Sequence, residues 1–317
     1  MTPEDASTTA GADATALCRL LEISRPVLCA PMARIAGGAL AAAVSDAGGL
    51  GVVGGGYGDP GWLDEQMDIV GDSRVGIGLI TWNMKPGAVE AALTHNPVAV
   101  WMSFGDPVPH IPVIHGAGAL AIAQVGTVDE AVAAVNAGAD VIVAQGSEAG
   151  GHGRPGRALF GLIPAISTAV AGTPVVAAGG INDQAGLDAA QALGASGAAL
   201  GTAYYATHEA LDVQPAKQHL VDARGDDTVH SRVYDHIRGP MWPPGYTGRS
   251  IRTRLTEEWA GREDELEKVV EPLRAEHQQA AKDADMSIRV VWAGEGLDAI
   301  RSIESAAAVT RRFAEVV

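Results

Sequence analysis

Short runs of Val, Ile, Leu and Ala recur along the first two thirds of the chain, each closed by a Gly-rich or polar loop and followed by an Ala-rich stretch of helical composition. They predict strands at Pro26–Met32, Gly49–Gly54, Val75–Ile80, Val98–Ser103, Leu120–Val125, Asp140–Ala144, Pro174–Ala178 and Gly197–Leu200. The runs are continuously apolar rather than alternating, as strands covered on both faces must be. Eight such strands alternating with helices predict an α/β fold, the (β/α)8 TIM barrel. The rival, an open doubly wound sheet, would carry a G-x-G-x-x-G turn after its first strand. Here that strand ends in Ala30-Pro31-Met32.

After about residue 203 the pattern becomes charged and is punctuated by Pro215, Pro240, Pro243, Pro244 and Gly245. Helices are predicted near Ala216–Ala223 and Leu255–Asp283, the second solvent-exposed because its charges fall on several faces. The loop Arg289–Gly296 then leads into an apolar-periodic helix, Leu297–Val316, expected to close the barrel. This divides the chain into a barrel, 17–202 plus 289–317, and a mainly helical insertion into its last unit, 203–288.

With 317 residues the chain can bury a large core, and its formal charge of -16 works against nucleic acid or an anionic membrane as partner. Cys18 and Cys29 fit no metal-ligand spacing and read as buried thiols of a reducing compartment. Residues 1 to 16 lack the basic-then-apolar layout of a secretory leader, and no apolar run approaches the roughly 20 residues that span a bilayer. A cytoplasmic protein is expected; a homo-oligomer is compatible with the sequence.

In such a barrel the C-terminal strand ends form the functional face, and the loops after strands seven and eight commonly hold a phosphate. Strand seven ends Ala177-Ala178-Gly179-Gly180 and strand eight ends Ala199-Leu200-Gly201-Thr202. Glycine N–H groups and a threonine hydroxyl suit phosphate oxygens, of a sugar-phosphate substrate or of the tail of FMN. Other strand ends favour the flavin. Pro31 and Met32 would lie beside an aromatic ring, Gly78 would leave room for it, and Gln124 and Gln145 would hydrogen-bond ribityl hydroxyls or the ring's amide edge. The sixth strand runs into Gln145-Gly146-Ser147-Glu148-Ala149-Gly150-Gly151-His152, a rim of glycines that let the backbone approach a ligand closely, ending in a histidine. Trp82, Trp101 and Met102, near strand ends three and four, read more readily as core than as pocket.

Ala30-Pro31-Met32, Gly48-Gly49-Leu50-Gly51, Gly76-Ile77-Gly78-Leu79, the Gln145–His152 run, Ala178-Gly179-Gly180-Ile181 and Gly201-Thr202 together resemble the nitronate monooxygenases, over about residues 25 to 207. Trp292-Ala293-Gly294-Glu295-Gly296 is similar to that family's closing loop. The resemblance implies an FMN-dependent barrel that oxidises an alkyl nitronate, or a nitroalkane, with O2 to a carbonyl compound and nitrite. It implies His152 as the catalytic residue. Pro31, Met32, Gly78, Gln124, Gln145, Gly150, Gly151, Ala178, Gly179, Gly180, Ala199, Leu200, Gly201 and Thr202 would bind the cofactor, with no metal. Flavin-dependent reductases of enoyl thioesters or quinones share the scaffold and the Gly-Gly-His element, so an NAD(P)H-dependent reductase is the alternative, together with a flavin-binding protein without turnover. Ala30-Pro31-Met32 and Gln124 stand where those reductases commonly carry Gln-Gly-Gly-Met and, in some, a lysine, and both departures favour the monooxygenase side; the stretch Arg238–Gly245 with Gly248-Arg249 also resembles the monooxygenases.

Overall fold

Each of the eight apolar runs forms a strand, and all eight lie parallel in one sheet. The computed structural model describes residues 13–239 and 241–316. The strands are β1 (Val27–Cys29), β2 (Val52–Gly54), β3 (Gly76–Ile80), β4 (Ala99–Ser103), β5 (Leu120–Val125), β6 (Val141–Gln145), β8 (Val175–Ala178) and β9 (Gly197–Leu200), ordered β1-β9-β8-β6-β5-β4-β3-β2. The two ends meet: Leu28 bridges Leu50, and Cys29 N–H donates to the Leu50 carbonyl at 2.9 Å. The sheet is therefore a barrel whose flanking helices cover its outer surface.

The pleat explains the unbroken apolar runs. Along β4, Ala99 and Trp101 point into the barrel with Leu28, Val52, Ile122, Val143 and Val176, while Val100 and Met102 point outward onto helices. Both faces are buried, so neither tolerates the polar alternation of an exposed sheet. The helix Ala14–Leu21 adds Leu17 and Leu21 to the interior cluster. Ala30, Pro31 and Met32 lie beyond β1, which is shorter than the predicted Pro26–Met32.

A second sheet joins β7 (Gly151–Gly153), β10 (Thr228–Ser231) and β11 (Thr247–Ile251) as antiparallel strands in the order β10-β11-β7, with Gly248 opposite His152. Residues 203–288 thus contain two strands besides their helices. The predicted helix Ala216–Ala223 is found at Gln214–Asp222. The predicted Leu255–Asp283 is broken into Arg254–Trp259, Glu263–Leu266 and Val270–Asp283. Gly261, at φ +82°, makes the first break. The single final helix is likewise replaced by a 3-10 turn, Glu295–Ala299, and a helix, Ala306–Arg311, restarted by the Ser305 hydroxyl accepting from Ala308 N–H. The N-terminal leader reading falls mainly on residues 1–12, and those residues, Pro240 and Val317 lie outside the described residues. No described helix is long and apolar enough to cross a membrane, and no group of His, Cys, Asp or Glu among the described residues could hold a metal ion.

His277, on the helix Val270–Asp283, is buried with its Nε2 unpartnered. Burial first, then Arg238 and Arg289, pushes its pKa down to about 4. The unfolded chain protonates near the ordinary histidine value and the folded chain does not, so stability is complete above about pH 6.5 and is lost as pH falls toward 4. This is worth up to roughly 3 kcal/mol. His277→Leu is expected to flatten the decline of Tm between those pH values; an unchanged slope would place the acid sensitivity elsewhere.

Candidate active site

The C-terminal ends of the barrel strands open into a cavity of about 310 Å³, roofed by residues of the second sheet and its neighbouring segments. Pro31, Met32, Gln124, Gln145, Gly150, Gly151, His152, Ala178, Gly179, Gly180, Ala199, Gly201 and Thr202 all line it. Two expected residues do not. Leu200 is fully buried in the core outside the barrel. A Cβ on Gly78 would stand 2.1 Å from Pro31 Cβ, so Gly78 makes room for Pro31, and only Pro31 reaches the cavity. Trp101 lies in the floor, whereas Met102 faces the outer helices and Trp82 stands edge-on to Tyr57.

The glycines that follow β8 and β9 leave donors. Among the described residues, the N–H groups of Gly179, Gly180 and Gly201 have no backbone acceptor. Gly179 and Gly180 have φ of +135° and +67°, conformations that L side chains rarely adopt. A Cβ on Gly201 would clash with nothing, its nearest neighbours being Ala30 Cβ at 3.8 Å and Met32 Sδ at 3.9 Å. Thr202 Oγ1 accepts from Gly294 N–H at 3.0 Å, leaving its own proton to donate. Unpaired N–H groups around open space suit an oxyanion, above all a phosphate.

The amides form a relay rather than two free arms. Ser103 Oγ donates to Gln124 Oε1 at 3.2 Å, Gln124 Nε2 to Gln145 Oε1 at 3.0 Å, and Gln145 Nε2 to the His152 carbonyl at 2.9 Å. Each amide keeps one further N–H for a ligand. The relay also ties the barrel rim to β7, which positions His152.

His152 Nε2 donates to Asp235 Oδ1 at 2.7 Å, and Asp235 is 4 % exposed. The imidazole lies flat on Trp242, with centroids 3.7 Å apart and planes at 7°, and Trp292 stands 4.9 Å away on a tilt. Its Nδ1 has no partner among the described residues. With Nε2–H given to the carboxylate, Nδ1 of the neutral ring carries the lone pair. A Cβ on Gly248 would fall 2.4 Å from Trp292, so only glycine opposite His152 lets Trp292 close over the site. Glu148 does not touch His152; its carboxylate accepts from Leu159 N–H at the start of the helix Leu159–Ala169 and anchors the loop.

The helix Val233–Arg238 supplies what the sequence did not reveal. Asp235 and Arg238 are three residues apart, hence on one face, and both line the cavity. Arg238 is exposed at the open mouth; desolvation by the surrounding protein lowers the pKa of its guanidinium and Asp235 opposes this. Tyr57, Phe104, Tyr205, Tyr234, Trp242 and Trp292 complete the wall. Burial raises the Tyr57 hydroxyl, Asp235 adding to it, and burial raises the Tyr205 hydroxyl well above the usual tyrosine value.

A family model described as nitronate monooxygenase matches residues 14–75 and 70–314. The chain belongs to the nitronate monooxygenase family. It is 33% identical to the nitronate monooxygenase npaC of Metarhizium robertsii over 325 residues, covering 90% of this chain and 88% of that one. Among solved structures, it is similar to a nitroalkane oxidase from Streptomyces ansochromogenes, at a TM-score of 0.79 and 28% identity over 93% of this chain and 96% of that one. It is also similar to FabK from Thermotoga maritima, at a TM-score of 0.83 and 29% identity over 94% of both chains. The barrel alone therefore does not select a reaction within this group of oxidoreductases.

Proposed function

We propose that this family member binds FMN and oxidises alkyl nitronates, or their parent nitroalkanes, with O2 to a carbonyl compound and nitrite. The observation that carries the reading is His152, oriented by Asp235 between two tryptophans, beside a cradle of unpaired N–H groups. Family membership and the likeness to a nitroalkane oxidase support it.

The residues fit the cofactor. Gly179, Gly180, Gly201 and Thr202 would hold its phosphate, and Pro31, Met32, Gln124 and Gln145 would bound its ring, with Gly150, Gly151, Ala178 and the Ala199 backbone in the wall between. FMN held there would supply the redox chemistry of the oxidation, with O2 as the final electron acceptor. A nitronate already carries the charge of a carbanion equivalent, so for it the chain has to hold an anion beside the ring. For a neutral nitroalkane a proton must first leave carbon. Nδ1 of His152 is the base that the Asp235 contact prepares. Trp242 and Trp292 fix the ring plane and keep water from it. In this reading residues 203–288 are an insertion into a barrel of 17–202 and 289–317, and the insertion supplies Asp235, Arg238 and Trp242.

The test is aerobic turnover of ethyl nitronate by the purified protein. Oxygen uptake with release of nitrite and acetaldehyde is expected, and no nitrite from either nitronate or nitroethane would overturn the reading. Asp235→Asn provides a second check: the amide donates where the carboxylate accepted, so the proton moves to Nδ1. Turnover of nitroethane is expected to fall by about 100-fold or more, with ethyl nitronate affected less. Equal losses on both substrates would remove the base role.

A further inference from the structure

The chain is strongly acidic as a whole, and a carboxylate, Asp235, sits in direct contact with the residue at the centre of the proposed chemistry. A substrate anion approaching His152 meets that charge at close range, where repulsion is least screened. Arg238 is the only lysine or arginine among the described residues lining the cavity. It follows Asp235 by one helical turn on the same face. Among the described residues its guanidinium makes no hydrogen bond or ion pair, although Asp235, Tyr205 and Tyr57 are within electrostatic range. The other arginines of this region are engaged: Arg289 pairs with Asp212 at 2.5 Å and Arg249 with Glu295 at 2.8 Å. Exposed at the mouth of the cavity and without a protein partner among the described residues, this guanidinium keeps all its N–H donors for an anion that enters.

We propose that Arg238 is the anion-binding residue of this site, holding the two oxygens of the substrate's nitro group in its planar N–H fork. The proposal rests on the nitronate reading of the cavity. A nitronate presents two coplanar oxygens sharing one negative charge, the geometry that a guanidinium matches with paired N–H donors. His152 and Arg238 then divide the work. Arg238 offsets Asp235 and holds the anion, and His152 Nδ1 faces the carbon from which a proton leaves when the substrate is the neutral nitroalkane. The N–H groups of Gly179, Gly180 and Gly201 come from the turns that follow two barrel strands rather than from this helix, so the phosphate has its own donors.

Sodium nitrite carries the same two-oxygen fork and serves as an inert probe. Calorimetric titration of the purified protein with nitrite is expected to show binding that weakens by about 10- to 100-fold in Arg238→Gln. Arg238→Lys keeps the charge without the fork and is expected to fall between. In parallel, Arg238→Gln should raise the KM for ethyl nitronate more than it lowers kcat, with flavin content unchanged. Unaltered nitrite affinity in Arg238→Gln overturns the proposal, as does loss of flavin with nitrite affinity retained, which assigns the guanidinium to the phosphate instead. A wild-type protein that binds nitrite through Arg238 yet turns over no nitronate would refute the proposed reaction while leaving the anion site standing.

Discussion

His152→Ala is expected to keep its flavin and to lose turnover of neutral nitroethane by about 100- to 10,000-fold, the range over which a positioned general base contributes. The side chain touches the helix Val233–Arg238 and the segments that carry Trp242 and Trp292, not the barrel floor, since Asp235, Trp242 and Trp292 are its neighbours. Its removal leaves the unpaired N–H groups of Gly179, Gly180 and Gly201 in place. Flavin content and Tm therefore serve as controls on the loss. Ethyl nitronate, which arrives without the proton, should be affected less, and the ratio of the two activities is the measured quantity. A variant that turns over both substrates at wild-type rates would remove His152 from the chemistry.

Gly201→Val is expected to be folded and colourless. Gly201 sits at φ -102°, a conformation any residue adopts, and an added Cβ meets nothing closer than 3.8 Å. The branched side chain would instead stand in the cavity between Ala30 and Met32, in the space assigned to the phosphate tail. Flavin affinity should drop by roughly 100-fold or more, with Tm of the flavin-free forms unchanged. Gly180→Val would be a poorer test, because φ of +67° there adds strain to any loss of binding. Normal flavin content in Gly201→Val would move the phosphate away from β9.

The barrel was legible because parallel strands buried on both faces must be written in Val, Ile, Leu and Ala, and the eight runs admit little else. The strand-end residues followed from that count. Gly78 shows the limit of such reading: its missing side chain is real, but Pro31 and not a ligand fills the space. The other half of the site was hidden. Nothing in Gly151-His152-Gly153 favours a strand, and β7 exists because β11, almost a hundred residues later, pairs with it. Asp235, Trp242 and Trp292 reach His152 only through that long-range pairing, and the one local signal was the spacing of Asp235 and Arg238 on a short helix. Glycine at 261 was the overlooked stop inside what read as one long helix.

The visible spectrum of the purified protein, followed without oxygen, tests the proposed reaction most directly. Ethyl nitronate added to one cuvette and NADH to another separate the proposed oxidation from the alternative of an NADH-dependent reductase. Bleaching of a bound flavin by the nitronate and not by NADH is the expected result. Rapid bleaching by NADH with no response to the nitronate would contradict it and make the protein a flavin reductase.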